Sequence, residues 1–174
     1  RQIFLRYHLN MINFTKITTD SQLKTFAKIA NDVWHEYFSF LLSAEQIDYM
    51  VARFQSYEAV KTQIADGYEY YFLEKDGKIA GYTGFCPKIS ELFLSKLYIL
   101  KEHRNCGIGR TALGFLKEKA REYKLLKITL TVNKYNESTI KAYEKWGFSK
   151  TDSVVTDIGN GFVMDDYIME INVN

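Results

Sequence analysis

The chain of 174 residues has one proline and two cysteines, and it lacks an excess of either charge. With a single proline there is no Pro-rich tether, so one domain of ordinary size is expected rather than two joined by a linker. The thiols, Cys86 and Cys106, are too few for a disulfide framework and lack the spacing of a zinc site. No metal is therefore expected, and the thiols suit a reducing, cytoplasmic location. Twenty-three basic against twenty-one acidic residues leave a formal charge of +2. That near balance argues against nucleic acid as a partner, because neutralising phosphates takes a basic excess gathered on one face. The longest apolar runs, such as Phe38 to Leu42, fall far short of the roughly 20 residues of a membrane span. No membrane partner is expected. Gly-Lys-Ser/Thr is absent, which excludes a P-loop nucleotide site.

What the sequence does have is a core. Hydrophobic residues make up 47% of it, with 13 Tyr and 12 Phe, enough for a globular domain that buries about 70% of its unfolded surface. Arg1 to Asn10 precedes Met11 and is expected to be an upstream extension of a single domain over 11–174. Its two arginines carry the whole charge excess, so the remaining chain is formally neutral.

Apolar positions recur at three and four from Ser21 to Phe40, which predicts a first helix. Ser43 with Gln46 reads as a capping box for a second helix through about Phe54, and Ser56 opens a third that stops at Gly67. Tyr68 to Phe85 reads as a β-hairpin turning at Asp76-Gly77 and ended by Pro87. Leu92 to Leu100, a helix over Gly107 to Tyr123, and Lys127 to Asn133 form a βαβ unit, expected to be parallel and right-handed. Glu137 to Trp146 predicts another helix, with Gly147 as its left-handed cap and Phe148 behind it. Strands Phe148 to Ile158 and Phe162 to Ile171, with a turn between, finish the chain.

Arg104 to Arg110 (RNCGIGR) is the most informative stretch, a glycine-containing loop that leaves a strand and opens a helix. Two glycines let the backbone approach a ligand, and the free N–H groups of a helix's first turn suit a phosphate. Alone, the pattern occurs by chance in about one chain in ten of this length. Gly107, Gly109 and Ala112 also meet the dinucleotide G-x-G-x-x-G/A spacing. That fingerprint should close the first strand of a repeated βαβ with an acidic residue about 20 residues on, whereas here three helices and a hairpin come first and the next strand ends in Asn133.

LSKLYILKEHRNCGIGRTAL, then a helix, then LTVNKYNESTIKAYEKWGF resembles the R/Q-x-x-G-x-G/A and N-x-x-A-x-x-x-Y-x-x-x-G-F motifs of the GNAT N-acetyltransferase superfamily. Thr139 stands where the family usually has Ala. YFSFLLSAEQIDYMV, LSKLYIL and GNGFVMDDYIM are most similar to the bacterial polyamine (spermidine/spermine) branch. The resemblance implies an α/β fold whose central sheet is mixed and mostly antiparallel, flanked by helices and splayed between its fourth and fifth strands, Leu92–Leu100 and Lys127–Asn133. It implies an enzyme that moves an acetyl group from acetyl-coenzyme A to a primary amine. Alternatives are an amino acid, a protein N-terminus or an aminoglycoside as acceptor, or a coenzyme-binding sensor without turnover.

The same resemblance assigns roles. The backbone of Asn105, Cys106, Gly107, Ile108, Gly109 and Arg110 would cradle the diphosphate, flanked by the charges of Arg104 and Arg110. The backbone of Leu97, Tyr98, Ile99 and Leu100 would pair with pantetheine amides, and an N–H near Tyr98 or Ile99 would polarise the acetyl carbonyl. Asn133 and Asn136 would bond the coenzyme arm, with helix capping as the plain alternative for Asn136. Tyr143, two turns after Asn136, would protonate the departing sulfur, with packing on Phe148 as its plain alternative. For the base, Glu91, His35 and Glu36 are candidates beside a water path. Glu36, Asp157 and one of Asp165 and Asp166 would suit a polyamine, since adjacent strand residues face opposite ways. Exposed sheet edges make a homodimer a further expectation.

Overall fold

The computed structural model describes residues 11–173, so the expectation for Arg1 to Asn10 lies outside the described residues. Seven strands form one sheet in the order β1-β2-β3-β4-β5-β7-β6. They are β1 (Ile12–Lys16), β2 (Glu69–Lys75), β3 (Lys78–Pro87), β4 (Glu91–Ile99), β5 (Lys127–Asn133), β6 (Ser149–Gly159) and β7 (Phe162–Asn172). Every neighbouring pair is antiparallel except β4 and β5. The expected architecture is therefore observed, with one strand that the sequence reading omits. β1 is five residues long and includes Asn13, Thr15 and Lys16; it forms because Phe14 has a place to go, stacking on Phe115 at 4.1 Å.

Among the described residues five α-helices cover the sheet: α1 (Asp20–Tyr37), α2 (Ala44–Met50), α3 (Tyr57–Ala65), α4 (Ile108–Glu122) and α5 (Glu137–Lys145). α1 starts earlier than its apolar period suggests, because Thr19 and Gln22 close a reciprocal capping box. At α2 only half of that device forms. Ser43 accepts from the Gln46 N–H, while the Gln46 amide turns to Met50 and Met164. The helix then widens into a π turn over Val51–Gln55 instead of continuing to Phe54. Asp76 and Gly77 both have positive φ, 52° and 73°, as a type I′ hairpin turn requires. Gly147 at φ 101° ends α5, with the Phe148 N–H reaching back to the Tyr143 carbonyl.

α1 and α3 pack on one face through Phe26, Val60, Tyr70 and Tyr82. α4 and α5 pack on the other through Leu113, Leu116, Ile140 and Phe148. β4 crosses from one regime to the other at Ser95. In the β3–β4 ladder Phe85 faces Leu94 but Gly84 faces Lys96, so Ser95 is an extra, bulged residue. Side chains alternate with a period of two, and one extra residue reverses which face each later side chain takes. Leu92 and Leu94 accordingly belong to the α4/α5 core, whereas Tyr98 belongs with the α1/α3 side. Pairing with β5 has ended two residues earlier, at Phe93.

Candidate active site

β4 and β5 pair only at Glu91–Lys127, Leu92–Ile128 and Phe93–Thr129. Beyond Phe93 the strands part, and a cavity of about 1010 Å³ opens between them from the glycine loop to α3. The Leu100 N–H donates to the Ala80 carbonyl. Antiparallel ladders alternate, so Tyr98 and Leu100 direct their backbones to β3, while Leu97 and Ile99 direct theirs into the opening. The expectation that four consecutive backbones would serve a ligand is corrected to these two. Of these, the Ile99 carbonyl is already taken by Arg104 Nε at 3.0 Å, which leaves its N–H and both groups of Leu97.

The loop closes the wide end. Asn105 and Gly107 both take left-handed backbone, φ 60° and 80°, and Gly107 is the N-cap of α4 without a side-chain cap. The first-turn N–H groups of α4 thus have no internal acceptor and face the cavity mouth with the positive end of the helix dipole. At Gly109 a Cβ would lie 2.6 Å from the Trp146 ring, so this position admits glycine alone. Arg104, Asn105, Gly107, Ile108, Gly109 and Arg110 line the cavity; Leu100 and Cys106 do not. Cys106 is exposed, with its thiol 3.3 Å from the Arg104 carbonyl.

Arg104 is the largest departure from expectation. Its guanidinium makes a bidentate pair with Glu36, at 3.0 and 2.6 Å, and lies 5.1 Å from the centre of the Tyr37 ring. Three of its five N–H donors are engaged within the chain. Bonding to Arg104 holds the Glu36 carboxyl below the ordinary carboxylate range, and Glu36 does not line the cavity, so it is ill suited to be a base. Glu91 is equally displaced: it sits at the closed end, 3.8 Å from Lys127, away from the cavity wall. His35 bonds Asp48 at 2.7 Å on the outer surface of α1.

Tyr37, which the sequence reading does not single out, bridges the opening. Its hydroxyl bonds Asn136 Oδ1 at 3.0 Å and Thr139 Oγ1 at 2.8 Å. Thr139 therefore gains a polar partner that an Ala could not offer. Asn136 is buried at the N-terminus of α5 without capping it through its side chain. Asn133 Oδ1 accepts from the Tyr135 N–H, forming a local turn. Both line the cavity with Tyr143. The Tyr143 ring packs edge-on against Trp146 and Phe148, and burial pushes its phenol well up, so it is a firmly protonated donor at neutral pH. Packing and proton donation are compatible here.

Across the sheet plane the acidic pair on β7 divides as alternation requires. Asp165 bonds Lys134 at 2.5 Å, while Asp166 lines the cavity with one carboxylate oxygen buried and without a hydrogen-bond partner. Burial, then the Asp165 charge, pushes Asp166 up to about 6. Asp157 accepts from the Gly159 N–H and is absent from the wall. Of the acidic residues expected to receive a polyamine, Asp166 is the one that faces the cavity among the described residues. Lys96, on the same face, was also missed, although a lone lysine in LFLSKLYIL is a visible irregularity. Among the described residues no group of three His, Cys, Asp or Glu is arranged to hold a metal, and no helix is long and apolar enough to cross a membrane.

The comparisons agree with this geometry. An uncharacterized N-acetyltransferase from the pepI 3' region of Lactobacillus delbrueckii subsp. lactis is 23% identical over 151 residues, covering 82% of this chain and 87% of that protein. PaiA N-acetyltransferase from Thermoplasma acidophilum, solved with coenzyme A, superposes with a TM-score of 0.77 at 23% identity, over 93% of this chain and 99% of that one. A GNAT family acetyltransferase from Elizabethkingia anophelis with acetyl-CoA bound gives 0.62 at 18% identity, over 92% and 97%. The sequence profile of the Acetyltransferase (GNAT) family matches residues 26–148, from within α1 to Phe148, just past α5. A chain with this profile over more than half its length, and this fold around a splayed parallel pair, belongs to the Acetyltransferase (GNAT) family.

Proposed function

We propose that the protein transfers the acetyl group of acetyl-coenzyme A to a primary amine by direct aminolysis of the thioester. The observation that carries the reading is the early parting of β4 and β5, which leaves the Leu97 and Ile99 backbones facing a cavity capped by a helix N-terminus. The first-turn N–H groups of α4 and the side chain of Arg110 take the diphosphate. The free groups of Leu97 pair with pantetheine, and the Ile99 N–H receives the charge that develops on the acetyl oxygen. Asn133 and Asn136 flank the coenzyme arm.

The acceptor enters on the α1/α2 side, between Trp34, Phe38 and Tyr98, whose rings suit an alkylammonium. Asp166 holds the ammonium and takes its proton, directly or through water; a carboxylate with a raised pKa is a better base than an ordinary one. The amine nitrogen then bonds the carbonyl carbon, the carbon–sulfur bond breaks as Tyr143 gives its proton to the sulfur, and the second proton shed by the nitrogen restores the Tyr143 phenol through water. A polyamine of the spermidine/spermine type is the second reading, favoured by Asp166 between aromatic walls.

Free thiol release with a panel of amines tests the function. Tyr143→Phe removes the donated proton and keeps the packing, so kcat should fall by about 10²-fold with coenzyme affinity retained. An unchanged kcat overturns the role of Tyr143, and no acetyl-coenzyme A binding in calorimetry overturns the reading itself.

A further inference from the structure

Lys96 is a buried amine for which the acetyl-transfer scheme has no use. It lies three residues beyond the last β4–β5 pair, turned by the Ser95 bulge to the same face as Tyr98. It is 4% exposed, yet it lines the cavity. Its Nζ bonds Gln63 Oε1 at 2.9 Å, the Tyr70 hydroxyl at 2.5 Å and Ser95 Oγ at 3.4 Å. Every one of these partners is neutral, and no carboxylate of the described residues comes within salt-bridge distance of it. The titratable groups beside it, Tyr70 of β2 and Tyr68 just before that strand, are phenols. Burial pushes the amine down to about 7. A buried cation without a counter-charge is costly to keep, and such groups gather at sites where a ligand brings the missing charge.

The position says which ligand. Gln55, Gln63, Tyr68 and Ser95 line the wall beside Lys96, giving a polar, cationic floor to an aromatic chamber. Asp166 lies on the same face of the sheet, level with Asn133 at the wide end of β5. The chamber is therefore dipolar, acidic near the mouth and basic near the apex. We propose that the acceptor is zwitterionic: its amine meets Asp166 and a carboxylate on the same molecule binds Lys96, as in an amino acid or short peptide. This rests on the acetyltransferase reading and departs from its polyamine version, because a second ammonium would meet Lys96 with like charge.

The test is acetyl transfer to matched acceptors: L-lysine against cadaverine, and 5-aminopentanoate against 5-aminopentanamide, with spermidine alongside. In the wild-type protein at pH 6.5, kcat/KM should favour each carboxylate over its partner by at least about tenfold. Lys96→Met should collapse that ratio toward one through KM, and Lys96→Arg should restore part of it; coenzyme A affinity reports whether each variant is folded. Should neither variant fold, the wild-type protein still decides, because the ratio should fall as pH rises through 7 and Lys96 loses its charge. Spermidine or cadaverine outrunning lysine, or a ratio that survives Lys96→Met or stays flat with pH, overturns the zwitterion and leaves the acetyltransferase reading standing. Thiol release with none of the amines overturns both.

Discussion

Between Glu91 and Leu94, β4 has β3 on one side and β5 on the other for most of its length, and its inward side chains are leucines against α4. Between Lys96 and Ile99 it keeps β3 alone, and its side chains on the α1/α3 face are a lysine and a tyrosine. The strand is continuous and the residues are nearly adjacent; what separates the halves is the single extra residue Ser95. A strand with two partners has its backbone satisfied and contributes only packing. One with a single partner has a row of N–H and C=O groups to offer, which in water is a liability and beside a pantetheine arm is a binding site.

Deleting Ser95 breaks the comparison most severely. It forces either Lys96 into the apolar α4 core or Leu92 and Leu94 out of it, and a loss of at least ~3 kcal/mol is expected. Urea denaturation and coenzyme A calorimetry check this; a variant that binds coenzyme with wild-type stability would detach the bulge from the opening. Asp166→Asn sharpens the contrast at the other wall of the cleft. Its kcat should drop by about 10- to 10²-fold, and the acidic limb of the wild-type rate profile, rising through about pH 6, should vanish. The same change should stabilise the fold. A carboxyl whose folded pKa lies above its unfolded value favours the fold fully only below the unfolded value, and that support is gone once pH has risen through 6. Partial exposure discounts the gain to roughly 1 kcal/mol at pH 7.5, or about 3 °C in Tm. Glu36→Gln is the mildest test. The Glu36–Arg104 side chains are about a third and a quarter exposed, so a loss of ~0.5 kcal/mol is expected, diminishing in 1 M salt.

The glycine loop was legible because its chemistry is local: Gly107 and Gly109 declare a tight backbone whatever surrounds them. The same holds for the Asp76-Gly77 turn and the Gly147 cap. The Ser95 bulge was not legible, since LFLSKLYIL alternates as well without it, and only the register with β3 reveals the extra residue. Glu36 and Arg104 look like free charges in sequence and become each other's partner only when α1 reaches the loop, 68 residues away. Tyr37 was hidden for the same reason, its bonds to Asn136 and Thr139 spanning about a hundred positions. Of the neighbours Asp165 and Asp166, alternation foretold that one would turn inward, and the pairing to Lys134 decided which.

Trp146 follows directly on the helix that carries Tyr143, and its ring rests against Gly109 in the first turn of α4. α4 and the end of α5 are thus in physical contact, spaced by the thickness of one indole. That contact is a gauge. In the proposed reaction it sets the span between the diphosphate at α4 and the proton donor Tyr143, so a carrier with a shorter or longer arm than pantetheine would be held firmly at one end and miss the other.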